Sequence, residues 1–410
     1  MIRHVIKANS ILLIQYAVGS LVPLLLVPHI VNVIGLAEYG QIAVLIAWGS
    51  YAATIVQYSF HLTGPKRIMQ LKPGETTTTV FFDITSAKIS LLFFVIIVLF
   101  LSIILFENKS KSAYSWLILI AMPVAAGFNS IWFLQSRDKF STICLLSIIS
   151  SLITLIIGFI FINKGNDKAI DVAVLMSFFG VIFIGFSTFF MGAKLANFKD
   201  YKVRLISVKN SLKDGWHLFI SQFISTLYTA SGPIFIIYFI NSEAAGAYSV
   251  TERAISALMA AALLTHTAAY PRLAAAYVND RAAYWRTIKF IIIGYVSITL
   301  IFSLIILNRK VFVLNFLYGK SAADHSSLLF FGLLWFISGI FGVVLTGYLT
   351  VSNKNKEIWP LNFKILVTSL LLGVLGLTYF GAAGWLAAIV AAQSINIYYG
   401  YKYWLLNYRQ

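Results

Sequence analysis

Apolar runs of 21 to 28 residues, separated by short polar breaks, fill nearly the whole chain, and no other feature limits its fold as severely. A helix needs about 20 predominantly apolar residues to cross the hydrocarbon core of a bilayer. Of the 410 residues 60% are hydrophobic and 11% charged, and the mean hydropathy is +0.86. That is more apolar surface than a water-soluble core could bury, so the solvent is lipid. The expected fold is all-α, a polytopic membrane protein of about twelve transmembrane helices.

The runs place spans at 9–33, 37–62, 79–106, 113–135, 140–162, 170–193, 215–240, 245–269, 287–307, 326–351, 358–380 and 384–406. Arg3 and Lys7 ahead of the first run imitate a secretory signal. The run is of span length, however, and no convincing small-residue cleavage site follows, so it reads as the first span. The single cysteine, Cys144, lies inside an apolar run, which excludes an intramolecular disulfide and a cysteine metal cluster. No metal or cofactor is expected.

A formal charge of +17 would suggest a nucleic-acid partner in a soluble protein. Here it is mostly orientation. Twenty of the 31 Lys and Arg, counting Lys402 at the end of the last run with the C-terminal tail, fall in segments on the N-terminal side of the membrane, seven on the other side, and four within spans. The positive-inside rule puts both termini in the cytoplasm, as the even number of spans also requires. No nucleic acid is expected.

The longest polar interruption, with six basic residues, divides the chain into an N-terminal six-helix bundle (1–193), a basic cytoplasmic linker (194–214) and a C-terminal six-helix bundle (215–410). A shift of 206 residues aligns Gly40 with Gly246, and Pro65-Lys66 with Pro271-Arg272. Parallel six-span repeats suit a transporter whose two bundles rock about a site at their interface. Pro23 and Pro28 in the first span, and Gly232-Pro233 in the seventh, its counterpart, each remove backbone hydrogen bonds and are candidate gating kinks.

A charge at mid-membrane costs about 2.5 to 3.5 kcal/mol on insertion scales, so it normally faces a cavity or a partner. Arg253 lies about eight residues, or roughly 12 Å, into the eighth span. Lys88 lies deep in the third span and Lys364 in the eleventh, while Lys289 is near the cytoplasmic edge of the ninth. These four are the candidate binding residues for an anionic head group. Snorkelling, or an ion pair such as Lys88 with Asp83, is the alternative for each. Glu252 and Asp83 are candidates for ion coupling or for ion pairing, and are too few to suit a carrier of organic cations. Trp116, Trp132, Trp216, Trp359 and Trp404 read as interface anchors, and His29, His61, His217 and His266 as interfacial or hydrogen-bonded histidines. There is no Gly-rich phosphate loop, paired-histidine metal motif or nucleophile elbow, which argues against an enzyme.

Gly246-Ala-Tyr248-Ser249-Val-Thr-Glu252-Arg253 resembles the start of the eighth span in polysaccharide transporters, which often read Gly-x-Tyr-Ser-x-Ala-Glu-Lys. Trp132-Phe133-Leu-Gln135-Ser-Arg137-Asp-Lys139-Phe140 resembles their Trp-x-Phe-Gln-Gly segment. Thr251 in place of Ala, Arg253 in place of Lys, and Leu134 and Ser136 are departures from those patterns. The chain thus resembles O-antigen flippases of the Wzx type, in the multidrug/oligosaccharidyl-lipid/polysaccharide (MOP) exporter superfamily with its MATE-like pair of bundles. That resemblance implies a flippase in the bacterial inner membrane. It would carry an undecaprenyl-diphosphate-linked oligosaccharide through a cationic cavity built on Arg253, with Lys88 and Lys364, and work beside a polysaccharide polymerase and a chain-length regulator. Proton or sodium coupling, or the membrane potential alone, could drive it. A small-molecule efflux antiporter of the same superfamily and, less favoured, a membrane glycosyltransferase or polymerase are the competing readings.

Overall fold

The computed structural model describes residues 18–19, 21–71, 73–105, 113–163, 169–196, 205–319, 325–352 and 354–408, and among them there is no strand. Helix α1 (Leu21–Ile34) is the described part of the expected first span. The beginning of that span, and linker residues 197–204, lie outside the described residues. The helices α2 (Leu36–Gln57), α3 (Phe60–Met69), α4 (Thr77–Leu105), α5 (Ala113–Phe128), α6 (Ile131–Ser136), α7 (Phe140–Phe161) and α8 (Ala169–Ala196) follow. Then come α9 (Leu205–Ala230), α10 (Gly232–Phe239), α11 (Ser242–Asn279), α12 (Arg281–Asn308), α13 (Lys310–Tyr318), α14 (Ser326–Val351), a 3-10 turn (Asn355–Glu357) and α15 (Ile358–Tyr408).

The described residues contain nine stretches long and apolar enough to cross a membrane, so the chain is a multi-pass membrane protein. Three further helices complete the expected twelve. Helix α1 is short. Helix α11, 38 residues long, carries Glu252 and Arg253 among many alanines. Helix α15 is two spans in one, because its backbone leaves the helical region at Gly381 (φ 63°). Residues eight apart on a straight helix are about 12 Å apart. Gly376 and Gly384 instead touch so closely that a Cβ on either would collide with the other's carbonyl. The chain has therefore reversed between them.

Three other crossings are broken within their length. Between α2 and α3, Tyr58 adopts φ 53°, a left-handed conformation rare for a bulky residue. Its hydroxyl donates to the Leu212 carbonyl at 2.8 Å and its ring stacks on Phe219 at 4.3 Å, which holds it there. Between α5 and α6 the break falls at Asn129-Ser130, and between α9 and α10 at Ser231, with Pro233 in the first turn of α10. In the first span the backbone stays helical through both Pro23 and Pro28, and the Asn32 amide adds a bond to the Pro28 carbonyl at 2.9 Å.

Some helices run past the expected spans. Helix α9 begins ten residues before residue 215, and α11 continues to Asn279, where the Asp280 side chain accepts from the Ala283 amide (2.9 Å) and starts α12. Hydropathy marks only the lipid-facing length of a helix, and these ends are polar.

Packing separates two units, one of Met1–Val22 with Val44–Ala230 and the other of Pro23–Ala43 with Ser231–Gln410. In the first unit the core is aromatic. Phe81 packs on Phe133 (4.6 Å) and Trp132 (6.3 Å), and Gly64 leaves the slot that Trp132 fills. Trp132 is 2% exposed, so it is a core residue and not an interface anchor, whereas Trp216, Trp359 and Trp404 are exposed. In the second unit, α14 packs along α15, with the Ser338 hydroxyl on the Gln393 side-chain oxygen (3.0 Å) and Phe235 of α10 stacked on Trp385 (5.0 Å).

The start of α2 joins that second unit through glycine. Gly40 and Gly246, the pair related by the 206-residue shift, lie face to face, and a Cβ on Gly40 would stand 2.8 Å from the Gly246 amide nitrogen. Equivalent positions of two repeats meeting each other is the pattern of an isologous contact. Gly246→Ala would drive its methyl into the Leu36 carbonyl, and it is expected to lower stability by about 1–3 kcal/mol. Gly294→Ala, with nothing within 4 Å of its new methyl, is expected to be neutral or stabilising. Melting temperatures of the two purified variants check this contrast.

Candidate functional site

In the first unit the charges are bound to backbone or to each other. Where α5 stops at Phe128, its last carbonyls lack helical donors, and lipid offers none. Lys88 supplies them. Its ammonium, on a residue 1% exposed, donates to the carbonyls of Ala126 (3.1 Å) and Asn129 (2.6 Å). A cation at a helix C-terminus also meets the favourable end of the helix dipole. The amides beyond the break are dressed as well: that of Ser130 bonds the Thr188 hydroxyl (3.1 Å) and that of Ile131 the Asn129 side chain (3.1 Å).

Asp83, 3% exposed, accepts from Arg67 at 2.8 Å. The same guanidinium reaches Glu75 (2.7 Å) and the Ser211 hydroxyl (2.8 Å), tying α3, the start of α4 and α9 together. A polar seam then follows α2 and α9, from the Tyr51 hydroxyl on the Leu227 carbonyl (3.2 Å) and Thr54 on Thr226 (3.3 Å) to the Ser59 hydroxyl on the Gly215 carbonyl (3.0 Å). Along this antiparallel pair Gln57 and Gln222 fall at one level, and the side-chain oxygen of each is buried without a hydrogen-bond partner.

In the second unit, Arg253 lies eleven residues into α11, roughly 16 Å along its axis. It is half-buried, and its guanidinium hydrogen-bonds the phenol oxygen of Tyr39, a residue of α2 that is 2% exposed. Glu252 is half-buried beside it and interacts with it electrostatically, although adjacent helix positions point about 100° apart. Among the described residues no carboxylate comes within ion-pair distance of Arg253. Thr251, where the resembling motif has Ala, shares a 2.6 Å hydrogen bond with the Tyr318 hydroxyl, which docks α13 on α11. Gly232 lets the Tyr248 ring lie against α10. Lys364 is exposed on α15 and bonds the Tyr399 hydroxyl at 2.7 Å, and Lys289 is exposed on α12.

Of the residues singled out from the sequence, Lys88 and Asp83 thus belong to the first unit, and Arg253, Glu252, Lys364 and Lys289 to the second. Sequence reasoning missed Tyr39, Arg67 and the α2–α9 seam. The available signal for Arg67 was Asp83, an acid inside a span that needs a cation from another element.

A membrane protein with this helix order has the fold of the MOP-superfamily transporters. It matches a multidrug-resistance MATE family transporter in its inward-facing conformation (TM-score 0.64, 14% identity, covering 96% of this chain and 94% of that one). A MOP-superfamily transporter from Pyrococcus furiosus matches as well (TM-score 0.63, 16% identity, 98% and 95%). Residues 5–277 match the family described as polysaccharide biosynthesis protein, and the chain belongs to that family. A relative from Escherichia coli K12, named "Putative O-antigen transporter", is 27% identical over 265 residues, 64% of this chain and 63% of its own length. One of the same name from Shigella dysenteriae is 19% identical over 268 residues, 65% of this chain and 67% of its own.

Removing Arg67 would take the ion pair from a buried Asp83 carboxylate. Arg67→Gln is expected to cost on the order of 3 kcal/mol, and Lys88→Met, which strands two carbonyls at a helix break, about 1–3 kcal/mol. Both should appear as lower melting temperatures and reduced membrane yield. Wild-type values would remove the structural role assigned to either cation.

Proposed function

We propose that this chain is a flippase that moves an undecaprenyl-diphosphate-linked oligosaccharide repeat unit, of O-antigen or a related surface polysaccharide, from the cytoplasmic to the periplasmic leaflet of the bacterial inner membrane. Membership of the polysaccharide biosynthesis family and the MOP fold support the class of activity. The observation that carries the substrate chemistry is Arg253, a half-buried guanidinium in mid-helix that has a neutral phenol as its partner and, although it interacts electrostatically with Glu252, forms no ion pair among the described residues. A cation held in this way is poorly stable until a ligand supplies the counter-charge. A diphosphate does so, while its polyprenyl tail stays in lipid.

On this reading Arg253 is the principal head-group ligand. Lys88 is shielded by the carbonyls it serves and acts by holding the α5–α6 break, while Lys364 and Lys289 meet the head group nearer the membrane surface. Outward movement of about two negative charges from a negative interior is favoured by roughly 4 to 5 kcal/mol per 100 mV. The potential alone is therefore a sufficient drive. Glu252 is the acid placed to couple a proton or sodium ion if one is used. Efflux of small cationic drugs fits less well, because the half-buried carboxylate of Glu252 has the Arg253 guanidinium beside it.

In a strain lacking the gene, complementation with Arg253→Ala is expected to leave surface polysaccharide absent at normal protein levels, Arg253→Lys to restore part of it, and drug susceptibility to stay unchanged. Full polymer with Arg253→Ala would overturn the head-group role. Altered drug susceptibility with normal polymer would favour efflux.

A further inference from the structure

Where α14, the 3-10 turn and both arms of α15 meet, the second unit encloses a cavity of about 240 Å³, lined among others by Lys356, Glu357, Lys364, Tyr399 and Tyr403. We propose that this cavity binds the phosphate head group of an anionic membrane lipid.

The charge balance favours an anion. Lys356 and Lys364 line the cavity with one acid, Glu357, whose carboxylate already accepts from the Tyr403 hydroxyl, and Lys354 lies beside it over the Tyr403 ring. Among the described residues Lys356 has neither a hydrogen bond nor an ion pair. Lys364 is held at Tyr399, with its ammonium 2.7 Å from the hydroxyl, so an ammonium and a phenol are presented together. Ammonium groups and hydroxyls are the donors that phosphate oxygens take.

The walls are fixed in advance. Lys354 sits over the Tyr403 ring at 4.9 Å, Tyr403 packs on Tyr348 at 5.4 Å, and Tyr348 packs on Trp285 (5.6 Å) and Tyr277 (6.0 Å). That chain of rings joins the end of α11, the start of α12, the end of α14 and the end of α15. A site built on four packed helices loses little entropy on binding.

Depth and size point to a head group. Trp359, Tyr398, Tyr401 and Trp404 are exposed on the same ends of α15, an arrangement typical of the belt at the head-group level of a bilayer. Basic pockets between membrane helices on the cytoplasmic side are suited to anionic lipid head groups. The volume lies below the ~300–1,000 Å³ of sites that engulf a drug-sized ligand. It accommodates a phosphate group and leaves acyl or prenyl chains outside, in lipid.

Two lipids share this chemistry, a bulk phosphodiester lipid such as phosphatidylglycerol and a polyprenyl diphosphate. The full-length protein in phosphatidylcholine nanodiscs, titrated with each in turn, tests the proposal by native mass spectrometry and melting temperature. At least one lipid is expected to stay bound and raise the melting temperature. The double substitution Lys356→Gln with Lys364→Gln should weaken that binding about tenfold or more, and the corresponding double Arg variant should keep it. Retention of phosphatidylglycerol alone would support a bulk-lipid site, and retention of the diphosphate alone a carrier-lipid site. Retention of neither, or equal retention by the double Gln variant, would overturn the proposal. Arg253→Ala should retain phosphatidylglycerol as the wild type does and lose only diphosphate held at the transport site, so failure of this site and failure of the transport reading are separately visible.

Discussion

A helix broken inside a bilayer exposes carbonyl and amide groups that lipid cannot satisfy, and the way this chain satisfies them governs where its charges lie. The α5–α6 break is the clearest case. Its carbonyls go to the Lys88 ammonium and its amides to Thr188 and Asn129, so the sharpest irregularity in the fourth crossing is satisfied by groups from α4, α8 and the break itself. The α2–α3 bend is held from its side chains instead, with the Tyr58 and Ser59 hydroxyls both donating to carbonyls of α9. Buried polarity in the first unit is thus largely structural.

That accounting separates the two kinds of cation in the protein. Lys88 is committed to two backbone carbonyls and Arg67 to two carboxylates, so both cations are held by local partners. Arg253 faces a phenol and interacts electrostatically with the neighbouring Glu252 without forming an ion pair among the described residues, so its donors remain available. The distinction turns on partners and not on depth, since all three lie within membrane-crossing stretches. In the proposed function, the available charge is the one that meets the diphosphate.

Much of the fold was legible because hydropathy and punctuation report it directly. The apolar runs gave twelve helices, the glycine-alanine break at 381–383 between the last two runs fell at the reversal at Gly381, and the repeat shift paired Gly40 with Gly246, which prove to touch. Partners were not legible. Lys88 could be placed in a span, but its acceptors are backbone carbonyls 38 and 41 residues away, which no side-chain pattern announces. Trp132 looked like an interface residue because it lies at a span end, and only the slot left by Gly64 turns it inward. Arg67 counted as a loop charge because the helix carrying it outruns its apolar stretch. The Thr251 departure from the family pattern was visible, and its reason, the Tyr318 hydroxyl 67 residues on, required coordinates.

The central claim is that the chain moves a lipid-linked, anionic oligosaccharide across a bilayer. The most direct measurement reconstitutes the purified protein in sealed vesicles holding a fluorescent polyprenyl-diphosphate oligosaccharide, and follows how much of the label an impermeant quencher or lectin can reach. The account requires that the protein transfer label between leaflets, faster under an imposed potential of the sign that drives anions across. An accessible fraction that stays at its protein-free value under every potential and ion gradient would contradict it.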